Sequence, residues 1–344
     1  MYRNLQILIC CLSMFVLLQA QTATRNVSKV GTSAATFLEI PVGARAAAMG
    51  GAYVSLATDA SALYWNVAGI ANLERNEIMG IHTRWLAETS FDFAGLIIPL
   101  GSASVLGISF TSLSMDDMLV RTVEKPEGTG EYFSAGDISV GLSYAFNLTE
   151  RFSIGFTGKY IQQKIWHMSA SAFALDAGTT FRTDLINGLV IGASISNFGT
   201  AMQLEGRDTR RFSPADETKL GSNQSIPQNI EMDTWNLPLL FQIGVSTSAF
   251  KSENINWIVA VDALHPSDNY ESVNVGTEFG YNGFLFLRAG YSSLFLTDSE
   301  GGMSLGLGLT THSLFSSILI KFDYAYQDRD RLENVQFMSI ALEF

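Results

Sequence analysis

A long series of short segments with a strict period of two, and no apolar run long enough for a membrane helix after the first twenty residues, limits what this 344-residue chain can become. The alternation is plainest where Ile138, Val140, Leu142, Tyr144 and Phe146 interleave with Ser139, Gly141, Ser143 and Ala145. It returns at Phe241, Ile243 and Val245 against Gln242, Gly244 and Ser246, and at Phe322, Tyr324 and Tyr326 against Lys321 and Asp323. Successive side chains of a strand point to opposite faces, so each segment has one greasy face and one small or polar face. The spacing predicts strands over 77–87, 91–100, 103–113, 137–147, 151–166, 171–183, 188–199, 237–249, 255–264, 271–282, 284–293, 302–311, 315–327 and 335–344. Ten-residue dyad segments in an even number are the pattern of a transmembrane antiparallel β-barrel of about 14 strands.

The connections support that reading. Short turns fall at 101–102, 147–150, 184–188, 249–254, 282–283 and 312–314; long ones at 114–136, 200–236, 265–270, 294–301 and 328–334. Residues 88–90 and 167–170 are short where the long class is expected. Short periplasmic turns facing longer external loops are the asymmetry of outer-membrane barrels. In the last strand Met338, Ile340, Leu342 and Phe344 alternate with Ser339, Ala341 and Glu343, an amphipathic ending with a terminal aromatic. Trp85, Trp166, Trp257, Tyr281, Tyr291 and Tyr324 lie near strand ends and are expected to form interfacial girdles.

Composition closes off other classes. Hydrophobic residues make up 47% and charged residues 16%, with a net charge of −12 that argues against nucleic-acid binding. Much apolar surface without an apolar helix leaves a large β-core or a lipid-facing barrel. Arg3, the apolar run Leu5–Leu18 and Leu18-Gln19-Ala20 read as a secretory signal over 1–20. Both cysteines, Cys10 and Cys11, fall within it, so no disulfide framework or cysteine metal site is expected in the mature protein.

One stretch departs from the period of two. Residues 37–73, FLEIPVGARAAAMGGAYVSLATDASALYWNVAGIANL, are rich in Ala and Gly and cannot build a core alone. The expected organisation is a signal over 1–20, an N-terminal segment and plug over 21–75, and a barrel over 76–344 with the plug in its lumen. Thr58 or Asp59 is placed to cap a short helix over 60–64. Arg45, Gly50, Gly51, Trp65, Asn66 and Gly69 mark the plug motif, and Arg45 within it needs a lumen carboxylate or backbone partner.

The same residues, from Phe37 to Ala71, resemble the N-terminal signature of the PorV/PorQ family of outer-membrane proteins, relatives of the FadL long-chain fatty-acid channels. The resemblance implies a FadL-like barrel with the N-terminal segment folded inside as a hatch. It departs at Asn66-Val67-Ala68-Gly69, where the family usually has Asn-Pro-Ala-Gly; a proline would stiffen that turn. It implies residence in the outer membrane of a Gram-negative bacterium, in contact with outer-membrane lipid. Its functional implications divide. One is an accessory of the type IX secretion system that binds translocon components or the signal domains of exported cargo. The alternative is a passive channel for long-chain fatty acids or other hydrophobic small molecules.

Catalytic signatures are absent: no G-x-S-x-G, P-loop or H-E-x-x-H, and four scattered histidines without ligand spacing. No enzyme activity, metal or cofactor is expected. Ser153, Gly155, Thr157, Lys159, Asp176, Gln242, Asp262, Asn274, Glu278, Lys321 and Asp323 read as lumen lining that solvates the interior and holds the plug. Phe284 and Phe286 point inward if Leu285 and Leu287 meet lipid, either packing on the plug or forming a greasy ligand contact. The loops 114–136 and 200–236 carry both charge signs, and are a partner surface under the first reading or a lid under the second.

Overall fold

Each predicted strand has one face that water would reject and one that lipid would reject, and a closed ring satisfies both. The computed structural model describes residues 29–101, 104–214, 218, 225–296, 299, 301–311 and 318–344. The signal read over 1–20 and the turn at 312–314 lie outside the described residues.

Fourteen antiparallel strands form the wall: β1 (Glu77–Arg84), β2 (Ser90–Pro99), β3 (Ser104–Ser114), β4 (Ala135–Thr149), β5 (Phe152–Ile165), β6 (Met168–Arg182) and β7 (Val190–Gly199). The second half comprises β8 (Leu240–Lys251), β9 (Ile255–Pro266), β10 (Ser272–Tyr281), β11 (Leu285–Leu294), β12 (Met303–Thr311), β13 (Leu319–Gln327) and β14 (Val335–Glu343). Every strand pairs with its sequence neighbours, and β14 pairs with β1 from Glu77↔Glu343 to Arg84↔Gln336, so no edge remains. The strand bounds agree with the sequence reading to within a few residues because the dyad pattern, not propensity, sets them.

Burial follows the pleat. On β4, Leu142 is 63% exposed while Ser143 is 0% exposed. Phe241, Ile243 and Val245 on β8, and Met338 and Ile340 on β14, likewise face outward, with Gln242, Ser246 and Ser339 turned in. So continuous an apolar exterior is intolerable in water and ordinary in a bilayer. No helix is long and apolar enough to cross a membrane, so the crossing is made by strands. Trp257, Tyr281 and Tyr291 point outward as girdle residues do. Trp85 does not: it lies just past β1, edge-on to Phe337 at 6.4 Å and under the Arg329 guanidinium at 4.6 Å.

The longest connections, 115–134 and 200–239, lie at one end, where 85–89 and 166–167 are the short exceptions, and that end is oriented outside the cell. Two long connections carry their own hairpins, Met118–Leu119 with Tyr132–Phe133, and Arg210–Ser213 with Ile226–Asn229.

Candidate functional site

The lumen is filled by residues 33–73. Within them run a 3-10 turn (Thr36–Glu39), helix α1 (Ala44–Ala48), helix α2 (Ala62–Trp65) and a second 3-10 segment (Val67–Asn72). None of these is long enough to be stable alone; almost every residue from Val42 to Ala71 is buried against the barrel or its own neighbours.

The segment threads the barrel from its outer mouth to its periplasmic end. At the top, Ser33 bridges Asn236 in the β7–β8 loop, Ala34 N–H donates to Asn236 O at 2.9 Å, and Ala35 N–H donates to Gln163 Oε1 at 2.9 Å. Midway, the Asp262 carboxylate on β9 accepts the Tyr53 and Val54 N–H groups at 2.7 and 2.8 Å. Lower, Asn66 Nδ2 donates to Val54 O and to Thr179 O on β6. At the bottom, Asn147 Nδ2 donates to Ala71 O and Asn72 Nδ2 to Ser153 Oγ.

Arg45 is the electrostatic centre. Its Nε and Nη2 meet the two oxygens of Glu278 at 2.8 and 2.9 Å, the bidentate geometry that suits a guanidinium. Nη1 reaches Tyr53 Oη at 3.3 Å and Asp59 at 3.6 Å, and Tyr53 donates to Asp59 at 2.8 Å. Glu278 is shared with Arg288 at 2.6 Å, and Arg288 continues to Asp323 at 2.5 Å. Burial alone would push the Asp59 carboxyl up, yet Arg45, then hydrogen bonds from Ser61 and Tyr53, hold it below its ordinary value. Ser61 gives Asp59 both its N–H and its hydroxyl at the head of α2. A second cluster joins Lys321 to Glu77 at 2.7 Å and Glu343 at 3.2 Å, while Glu77 also takes the Ala60 N–H.

The remaining motif residues seat the backbone. Trp65 Nε1 donates to Val42 O at 2.8 Å, and its ring stands edge-on to Tyr53 and Tyr64. Asn66 Oδ1 accepts Ala68 N–H and so caps the turn that Val67 begins. Gly50 and Gly51 have φ of 65° and 76°, and a Cβ on Gly50 would lie 2.6 Å from Tyr291 N. Gly69 lies against Ala57 O with no room for a Cβ. The wall answers with glycines of its own: Gly155, Gly178, Gly192, Gly276 and Gly290 each abut plug backbone or Asn66 so closely that any side chain would overlap it. Sequence reasoning placed Gly155 inward but missed the ring it belongs to; its signal was a glycine at an inward position of many strands.

The two phenylalanines part company. Phe286 faces inward across from Gly280, its ring 5.3 Å from the Arg288 guanidinium carbon. Phe284 is half-exposed in the turn after Asn282 and Gly283, whose positive φ values close the hairpin before β11 starts.

Outside the lumen, charge is unevenly placed. Connections on the outer side (85–89, 115–134, 166–167, 200–239, 267–271, 295–302 and 328–334) hold 19 Asp or Glu against 8 Lys or Arg. Those on the periplasmic side between strands hold 3 and 1. Among the outer ones Met118, Val123, Tyr132, Phe212, Ile230 and Trp235 are exposed. Among the described residues no group of three or more His, Cys, Asp or Glu is placed to hold a metal ion.

Comparison with known proteins accords with this architecture. A family model described as Type IX secretion system protein PorV matches residues 22–223. Among curated proteins no sequence match is found. The structure is similar to a Pseudomonas aeruginosa FadL homologue (11% identity, 88% of this chain and 98% of that one, TM-score 0.52). It is also similar to the CymD monoaromatic hydrocarbon channel (13%, 88% and 97%, 0.57) and to the Pseudomonas putida toluene transporter TodX (13%, 88% and 96%, 0.52). At such identities the likeness is one of fold.

Proposed function

Because this chain belongs to the family of the Type IX secretion system protein PorV, we propose that it serves protein secretion at the outer membrane by binding exported polypeptides at its extracellular mouth. The observation that carries the reading is the seal. Plug and wall meet at close backbone contacts made by the wall glycines, and the gaps between are closed by ion pairs. A lumen closed in this way favours a role for the outer face over one for an axial path. That face is raised on two hairpins and exposes Met118, Tyr132, Phe212 and Trp235, residue types enriched at protein-binding surfaces, amid an acidic surround that would select a basic partner. The charged and polar side chains of the plug and the facing wall bond to one another and hold the plug in place.

The test is a deletion in the native organism, with exported proteins quantified in the medium, on the surface and in the periplasm. Periplasmic accumulation of cargo is expected. An unchanged distribution would end the reading.

A second reading rests on the lipid-facing wall. Trp257, Phe279, Leu287 and Leu305 surround small Thr277 and Ala289 on β9–β12, leaving an apolar groove of about 630 Å³. Such a groove suits a hydrophobic solute leaving sideways, and similar folds include proteins described as a monoaromatic hydrocarbon channel and a toluene transporter. Uptake of toluene and of a long-chain fatty acid by the deletion strain decides it: reduced uptake with normal secretion selects this alternative.

A further inference from the structure

A cleft of about 250 Å³ opens at the outer mouth, between the strap Gly31–Ala34 and the β7–β8 loop. Its apolar walls are Met202, Leu204, Met232 and Trp235, and its polar edge is Asp233 with Gln163. The walls are held from several directions. Met202 pairs with Trp235 across a two-residue ladder, Gln203 Nε2 donates to Met232 O, and Gln163 accepts from Ala35 N–H and donates to Asp137. Asp233 is different: it is exposed, and among the described residues no hydrogen bond or ion pair engages it.

We propose that this cleft takes a lysine or arginine side chain from an extended, basic segment of a polypeptide outside the cell. The chemistry fits one residue class. Lys and Arg have an apolar stem and a charged head, so they suit a slot with greasy walls and one free carboxylate at its rim. Trp235 adds the ring that attracts a cation most strongly. Met202 and Met232 are unbranched and polarizable, which lets the walls adjust to either stem. The excess of 11 acidic charges on the outer connections steers cations to this mouth and repels acidic chains. The cleft volume holds one long side chain and no folded domain. This deepens the secretion reading and rests on it for the identity of the partner.

The experiment uses the full-length protein in detergent or nanodiscs and a fluorescein-labelled decapeptide of alternating valine and lysine, read by anisotropy. Binding is expected for this peptide and not for the valine–glutamate version, with weakening as salt rises from about 50 to about 500 mM. Asp233→Asn and Trp235→Ala should each weaken binding about tenfold, with unchanged melting temperature. Glu127→Gln, on the β3–β4 loop, should leave it within about twofold. Equal losses for Glu127→Gln and Asp233→Asn would show a diffuse acidic surface and overturn the site, as would full binding by both cleft variants. Normal secretion in the deletion strain beside intact cleft binding removes the secretion reading alone. Lost secretion beside Asp233-independent binding removes this site alone.

Discussion

Arg45 shows how a single charge is made tolerable inside a barrel. Its fork is matched by Glu278, and Glu278 in turn neutralises Arg288. Removing the arginine is therefore worse than removing the shared acid. Arg45→Ala leaves buried Asp59 without its guanidinium, at a cost of about 3–5 kcal/mol. Glu278→Ala leaves Arg45 on Asp59 and Arg288 on Asp323 and should cost about 1–3 kcal/mol. Thermal unfolding in detergent checks the order, and equal losses would refute it. At the outer end of the plug the electrostatics run the other way. Partial desolvation, and then the nearby Asp268, push the Glu39 carboxyl up to about 7, and because the residue is exposed at the mouth solvent screens much of the effect on stability. An acid whose folded pKa exceeds its unfolded value binds its proton more tightly when folded. Its ionisation thus opposes folding, with no effect below about pH 4 and the full effect above about pH 7. Glu39→Gln should raise the melting temperature at about pH 8 and leave it unchanged near pH 4.

Among the elements, the barrel strands were legible and the seating of the plug was not. A dyad period is written into every strand, because one face must meet lipid and the other must not. The plug has no such period: α1 and α2 are five and four residues long and exist only because the wall encloses them. Its sequence showed that Ala and Gly press against something, and that Arg45 needed a partner, but not which strand supplies Glu278, since partners 233 residues apart share no local pattern. Phe284 lies one residue before its strand, beside the positive-φ turn at Asn282 and Gly283, where strand parity no longer fixes which way a side chain points. The glycine ring makes a sharp prediction. Gly290→Val should drive the wall into Gly50 and Met49 and unseat the plug, making residues 40–72 protease-sensitive. Gly158→Ala, on a strand of the same wall but with open space around its Cβ, should change nothing. Val67 stands at the first position of its 3-10 segment, where a proline is tolerated. Val67→Pro should therefore leave stability unchanged or raise it by up to about 1 kcal/mol in the same melts.

For the molecule as a whole, strand count and loop asymmetry were sufficient to give the closed barrel and its orientation, whereas the route of the N-terminal segment needed coordinates. Lys29 and the strap after it lie at the outer mouth, beside Asn236 and Gln163, while β1 starts at the periplasmic end. A membrane-impermeant maleimide applied to intact cells should accordingly label Lys29→Cys and Val123→Cys. Asp184→Cys, in the β6–β7 turn, should react only after permeabilisation. Protection of Lys29→Cys alone would mean that the strap is placed wrongly; inverted labelling of Val123→Cys and Asp184→Cys would reverse the whole orientation. That route has a consequence for assembly. A cord with a loose end could in principle be drawn through a finished hoop, but here the bore is cut to the cord: Gly155, Gly192, Gly276 and Gly290 leave no clearance beside its backbone. A wall that sets before the cord is seated therefore sets around the wrong shape, so a plug that folds late should leave the barrel loose along its seam.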